Sequence, residues 1–386
     1  MQKNSLICAV AALLAAQGGM MAMANSPYIS KVYEYVPAPG QFVNEMPEYE
    51  EGDDAAAMTR KAGDELIGGR TPGLITLGAY GGYVVFGFDH PVVNVHGRYD
   101  FQVYGNAIPS PSHSAEPGVV SVSVDVNGNG LPDDPWYELA GSAYHLPTTC
   151  HQASVRYTRP AADHVAKPDP SNKSVTDMEY IAWSLTDVPD RPATEGWLHK
   201  VSFHKQDYWP QWLGETLEFA GTRLADNGID INGNGKQWET TPLHWGYADN
   251  LANAEYKGFS IDWAVDADGT PVVLEHIDFV RVHTGVLQNL GWLGESSTEV
   301  CGAEDLHPDA VYSSVWPDDP IDPAKEYGMP ETSGLTRPGI VAEGEVRFYD
   351  LQGRLRLRTT EASAVSTLAP GLYIEVTSAG SRKIRL

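Results

Sequence analysis

The chain has 386 residues, 51 acidic against 26 basic side chains for a formal charge of −25, and 42% hydrophobic content. That is enough apolar material for a core and too little for a multi-span membrane protein. The negative charge repels phosphate backbones and anionic lipid, so nucleic acid is a poor partner and cations are better ones. With 38 glycines, 27 prolines and only 20% charged residues, the composition disfavours a helical bundle and points to an all-β fold of short strands and turns.

Residues 1–24 run from Met1 and Lys3 through an apolar stretch, 6–16, to the small-residue triplet Ala22, Met23, Ala24. This is the pattern of a secretory signal peptide cleaved after Ala24. Gln17, Gly18 and Gly19 interrupt the stretch before it reaches the ~20 apolar residues of a permanent span, and no later segment resembles a transmembrane helix. Cys150 and Cys301 then remain in an oxidising compartment, either as one disulfide or as two separately buried thiols.

Residues 25–72 are acidic and rich in Pro and Gly, an extended lead-in around the core with one helix-compatible piece at 54–66. From Gly73 period-2 segments bounded by Gly, Pro and Asn predict strands at 82–88, 92–95, 99–104 and 119–126. A hairpin is predicted from 259–265 and 272–282, around Asp266-Ala267-Asp268-Gly269. Residues 73–316 so read as a β-sandwich or jelly roll, 317–340 as a Pro-rich linker, and 341–386 as a small C-terminal β-sandwich.

The C-terminal segment carries Phe348-Tyr349-Asp350-Leu351-Gln352-Gly353-Arg354, Leu368-Ala369-Pro370-Gly371-Leu372-Tyr373 and the final Arg382-Lys383-Ile384. In these runs it resembles the sorting domain of the type IX secretion system of Bacteroidetes. The resemblance implies the type IX machinery as a partner, export across the outer membrane, and a location at the cell surface or beyond.

The sharpest chemical motif is Asp125-Val126-Asn127-Gly128-Asn129-Gly130-Leu131-Pro132-Asp133. Oxygen side chains at positions 1, 3, 5 and 9 around a glycine at 6 are what a calcium loop requires. Asp125, Asn127, Asn129 and Asp133 are the expected ligands, although position 12 is Trp136 rather than the glutamate of an EF-hand. Asp230, Asn232 and Asn234 repeat the idea in a second Asn-Gly-Asn-Gly loop. The competing reading is a pair of ordinary Asn-Gly turns, which need positive φ and no ion.

All ten tryptophans lie between Trp136 and Trp316, seven of them from Trp183 to Trp263. Tyr208, Trp209, Trp212 and Trp245 are the expected stacking surface for an extracellular glycan or other small nutrient; the alternative is that such rings fill the core. Neither a His-Glu-x-x-His helix, a Gly-x-Ser-x-Gly elbow nor a phosphate loop is present. A glycosidase carboxylate pair is defined by distance in space, with Glu215, Glu218, Asp249 and Glu275 the acids nearest the Trp-rich stretch.

Residues 73–310 also resemble a group of secreted bacterial cell-surface proteins with jelly-roll domains. The resemblance lies in Gly82-Tyr83-Val84-Val85-Phe86-Gly87-Phe88-Asp89, Tyr99-Asp100-Phe101-Gln102-Val103-Tyr104-Gly105-Asn106, Glu116-Pro117-Gly118-Val119-Val120 and Ile277-Asp278-Phe279-Val280-Arg281-Val282. It implies association with outer-membrane nutrient uptake, cobalamin included. The expectation is a non-catalytic, calcium-stabilised surface binder, with a glycoside hydrolase or a purely adhesive module as the alternatives.

Overall fold

A computed structural model describes residues 25–109, 114–187 and 192–328, and beyond them four strands. The signal-peptide reading at 1–24, linker residues 329–340 and most of 341–386 lie outside the described residues. The chain is all-β, with several antiparallel sheets and two short helices among the described residues. No described helix is long and apolar enough to cross a membrane.

The largest sheet has six strands in the order Lys31–Val36, Tyr83–Gly87, Phe279–Thr284, Gly118–Ser123, Trp136–Leu139 and Ala264–Val265. Its central strand Gly118–Ser123 is buried at every position, which explains its run of small and branched residues rather than an alternating pattern. The second sheet orders Thr194–Val201, Val175–Thr186, Cys150–Thr158 and Thr216–Arg223. Here alternation is visible: Ala153, Val155 and Tyr157 point inward while their neighbours stay wet. Each sheet has its own core cluster, around Phe86, Phe101, Val122 and Phe259 for the first and Tyr80, Tyr157, Trp209 and Phe219 for the second.

The lead-in is built into the fold. Residues Lys31–Val36 form the edge strand of the large sheet, and the expected helix forms over Ala55–Leu66, capped by the Asp54 side chain accepting from Ala57 N at 2.8 Å. Met58, Ala62 and Leu66 share the buried stripe of that helix at spacings of four. The described part of the expected linker likewise packs on the main body. Ile321 N donates to Gly97 O, Arg98 pairs with Asp319, and Ile321 and Tyr327 cover the first core cluster.

The expected 259–265 strand is a correction. Residues Ile261–Trp263 form a turn of 3₁₀ helix, because the Asp100 carboxylate captures Ile261 N at 2.7 Å and holds the segment out of a ladder. Phe259 makes an isolated antiparallel bridge to Phe101, Ala264–Val265 pairs as strand, and the turn at Asp266 to Gly269 closes as expected, with Gly269 at φ 75°. At the C-terminus, Val346–Tyr349, Leu355–Thr359, Leu372–Thr377 and Gly380–Arg385 form one antiparallel sheet. Cys150 and Cys301 are both free thiols, which removes the disulfide alternative.

Candidate ligand-binding cleft

Four acidic side chains converge from three segments at one end of the central strand Gly118–Ser123. Glu116 lies two residues before that strand, and Asp249 follows Ala248, which bridges Gly118. The strand Glu299–Val300 pairs with Ile75–Thr76 and sets Glu299 opposite Thr76. Glu295 enters from the turn closed by the Asn289–Glu295 bridge. One carboxylate oxygen from each of Glu116, Asp249 and Glu299 lies within 4.8 Å of the others.

Polar groups of the protein hold these acids in place. Asp249 accepts from Asn106 N and Ala107 N at 2.8 Å and from Glu299 N at 3.0 Å. It has φ of 50°, the only positive φ among the described non-glycine residues, in a region that Asp tolerates better than most. A methyl group at Gly105 would collide with its carboxylate, so that neighbour must be glycine. Glu116 accepts from Ser297 N at 3.0 Å and Ser296 Oγ at 3.3 Å. Glu299 accepts from Thr76 Oγ1 at 3.1 Å, and Thr76 in turn meets Ser297 Oγ at 2.5 Å. Glu295, 2% exposed, accepts from Gln41 N at 2.7 Å through Oε1, while its Oε2 is buried without a partner.

Glu116, Glu295 and Glu299 open on a cavity of about 490 Å³ whose walls include Phe42, His204, Trp238, Leu290 and Trp292. Two more buried polar atoms among its lining residues lack partners, Gln41 Oε1 and Trp238 Nε1. Phe203 packs edge-on against Trp292 and is 63% exposed. None of the described lining residues is Lys or Arg, and burial pushes the His204 imidazole down toward its neutral form. Burial holds the acids protonated well above their ordinary range, Glu116 up to about 7 and Glu295 up to about 8. Asp249 and Glu299 move in the same direction through burial and then repulsion from neighbouring carboxylates. A half-apolar hollow with a few convergent polar groups and displaced titrations is the usual form of a small-molecule site.

The expected aromatic surface is not where the sequence reading put it. Tyr208 and Trp209 are fully buried in the second core cluster, and Trp245 is buried in the first. Trp209 Nε1 donates to Gly214 O at 2.9 Å, and Tyr208 OH accepts from Val201 N at 3.1 Å, so even their polar ends serve the fold. Trp212 stacks with Tyr35 and with Tyr49, with ring centroids at 6.1 and 5.9 Å. Tyr208, Trp209 and Trp245 are buried away from any ligand and Trp212 is half-buried against Tyr35 and Tyr49, whereas Trp238 and Trp292 border the cavity.

Asp125, Asn127, Asn129 and Asp133 do come together in an exposed loop. Asp125 accepts from Asn129 N and Gly130 N, and Asp133 accepts from both Asn127 Nδ2 and Asn129 Nδ2. Gly128 and Gly130 supply φ of 72° and 71°. Asp230, Asn232 and Asn234 sit at the tip of the hairpin Gly228–Asp230 and Trp238–Thr240. Asp230 accepts from Gly235 N at 2.5 Å, Asn232 donates to Gln237 Oε1 at 2.9 Å, and Asn234 accepts from Lys236 N at 3.1 Å. That hairpin carries Trp238, Glu239 and Thr240 into the cavity wall.

Of the acids singled out as a hydrolytic pair, only Asp249 reaches the cluster. Glu215 and Glu218 face Arg159 and Arg156 on the surface, and Glu275 is exposed. Glu116, Glu295 and Glu299 were missed because Glu116 lies more than 170 residues before the Glu295 to Glu299 run, with no spacing to join them to each other or to Asp249. The available signal was a dense run of small hydroxyl residues, Ser296-Ser297-Thr298, beside two glutamates. The chain matches no protein-family model and no curated protein.

Proposed function

We propose that the protein is an exported cell-surface binding protein, on a β-sandwich or jelly-roll scaffold, that captures a small extracellular ligand in the acidic cleft. The carrying observation is the 490 Å³ hollow itself, with aromatic walls at Trp238 and Trp292 and unpartnered polar atoms on Glu295, Gln41 and Trp238. Apolar ring faces beside polar groups suit a polyhydroxylated ligand, so a glycan leads and a cobamide or similar nutrient follows. The 1–24 pattern and the C-terminal runs support export and type IX sorting, and the Asp125 and Asp230 loops support structural calcium.

A second reading is favoured by Glu295 alone: a buried carboxyl that keeps its proton to about 8 beside other acids is the type of group that donates to a glycosidic oxygen. The test is thermal unfolding in calcium against host and plant glycans and cobamides, with product release followed on the same glycans. A ligand at a hundredfold excess over its Kd stabilises by about 2.7 kcal/mol, a readily measured rise. A rise without product supports the binder, product supports the hydrolase, and no rise with any class refutes both in favour of an adhesive module.

A further inference from the structure

We propose that Glu116, Asp249 and Glu299 form a calcium site at the base of the cleft, with Glu295 beside it. The inference rests on the reading of this cleft as the functional site and deepens it.

Three observations carry it. First, one oxygen from each of Glu116, Asp249 and Glu299 lies within 4.8 Å of the others, close enough for all three to reach one ion through calcium–oxygen bonds of ~2.4 Å. Second, the described hydrogen bonds from backbone N–H and hydroxyl groups are aimed at the acids as they would be at carboxylates. Asp249 receives three backbone N–H groups, Glu116 a backbone N–H and a hydroxyl, Glu295 a backbone N–H and Glu299 the Thr76 hydroxyl. Burying several such anions together is costly without a counter-charge, and no described lining residue is Lys or Arg. Third, Glu295 is 2% exposed and Gln41 5% exposed, both line the cavity, and Glu295 Oε2 and Gln41 Oε1 have no partner. Orphaned buried oxygens of this hardness are suited to a hard cation or to water bound on it.

The site differs from the Asp125 and Asp230 loops, which are turns whose tips at 127–130 and 231–234 are exposed. Because Glu116 and Glu299 line the cavity, a cation there meets the bound molecule, and ligands with vicinal hydroxyls or a carboxylate are the class it takes. Protons are its competitors, supplied or withdrawn through Glu116, Asp249, Glu295 and Glu299, with Glu239, His204 and the Cys301 thiol, pushed up to about 12, as the neighbouring titratable groups.

The test is calcium titration of the purified protein by calorimetry, with both loops silenced as D125N/D230N. One equivalent should still bind, and adding E299Q or E116Q should weaken it by about tenfold or more. In chelator these isosteric variants should unfold at the same or a higher temperature, because each removes a crowded acid. A purely structural role predicts a lower one. E116Q, at a partly exposed position, guards against misfolding of E299Q. Terbium luminescence sensitised through Trp238 should be lost in W238F. No binding by D125N/D230N, or titrations unaltered by both amide variants, would overturn the inference. Ligand capture that persists in chelator and depends on Trp292 would sink the cation and keep the cleft. Capture indifferent to Trp292 would do the reverse.

Discussion

Trp209 and Trp292 illustrate how little residue type says about which way a ring faces. The sequence showed a crowd of tryptophans but not that Trp209 closes the second core while Trp292 borders a cavity. Trp209→Ala should therefore cost about 3 to 5 kcal/mol of stability, read as a fall in denaturation midpoint, with ligand affinity following only through folding. Unaltered stability with lost binding would return Trp209 to the ligand. Glu295 makes a sharper case. Its folded titration lies near 8, above its unfolded value, so its contribution is complete below about 4.5 and disappears as pH rises through 8. Glu295→Gln should flatten the loss of stability between about pH 6 and 8 in chelator, measured by denaturant titration at each pH.

Among elements, those with local causes were legible and those held by distant partners were not. The helix Ala55–Leu66 could be read because its cap and its stripe at 58, 62 and 66 are contiguous in sequence. Asp54→Ala should lower stability by about 1 kcal/mol, seen as a lower midpoint with the same cleft affinity. The 3₁₀ turn Ile261–Trp263 could not be read, since Asp100, more than a hundred residues away, directs it. The Asn-Gly loops could be found by spacing, and the structure gathers their four expected oxygen side chains at 125–133. Asp125→Ala should abolish that loop's share of the calcium-induced rise in melting temperature; an undiminished rise would sink calcium there. The Asp230 loop has a different reach, because its hairpin presents Trp238 to the cavity and ties to Asn172 through Gly235 O at 3.0 Å.

For the whole molecule, the all-β class followed from composition and alternation, and the cleft did not, because it assembles from segments near 41, 116, 249 and 295–299. Buried titratable groups across the molecule set opposing pH limbs. His283, buried against Thr222 O at 3.0 Å and held neutral down to about 4, adds stability above about 6.5 that is lost as pH falls through 4. Glu116, Glu138 and Glu295, raised to about 7, 7 and 8, add stability at low pH that is lost as pH rises through those values. In chelator the melting temperature should therefore peak near about pH 4.5, above which the three acids lose stability faster than the one histidine gains it, and fall toward pH 8. Calcium should lift the alkaline limb most, since ligation releases protons from the cleft acids.

The most direct measurement is calorimetric titration of the wild type and Trp292→Ala with the ligand class that raises the unfolding transition. Trp292 borders the cavity and is partly exposed, so its removal leaves the core intact. The account predicts affinity reduced by about tenfold or more at unchanged stability. Equal affinity in the two proteins would place the ligand elsewhere and contradict it.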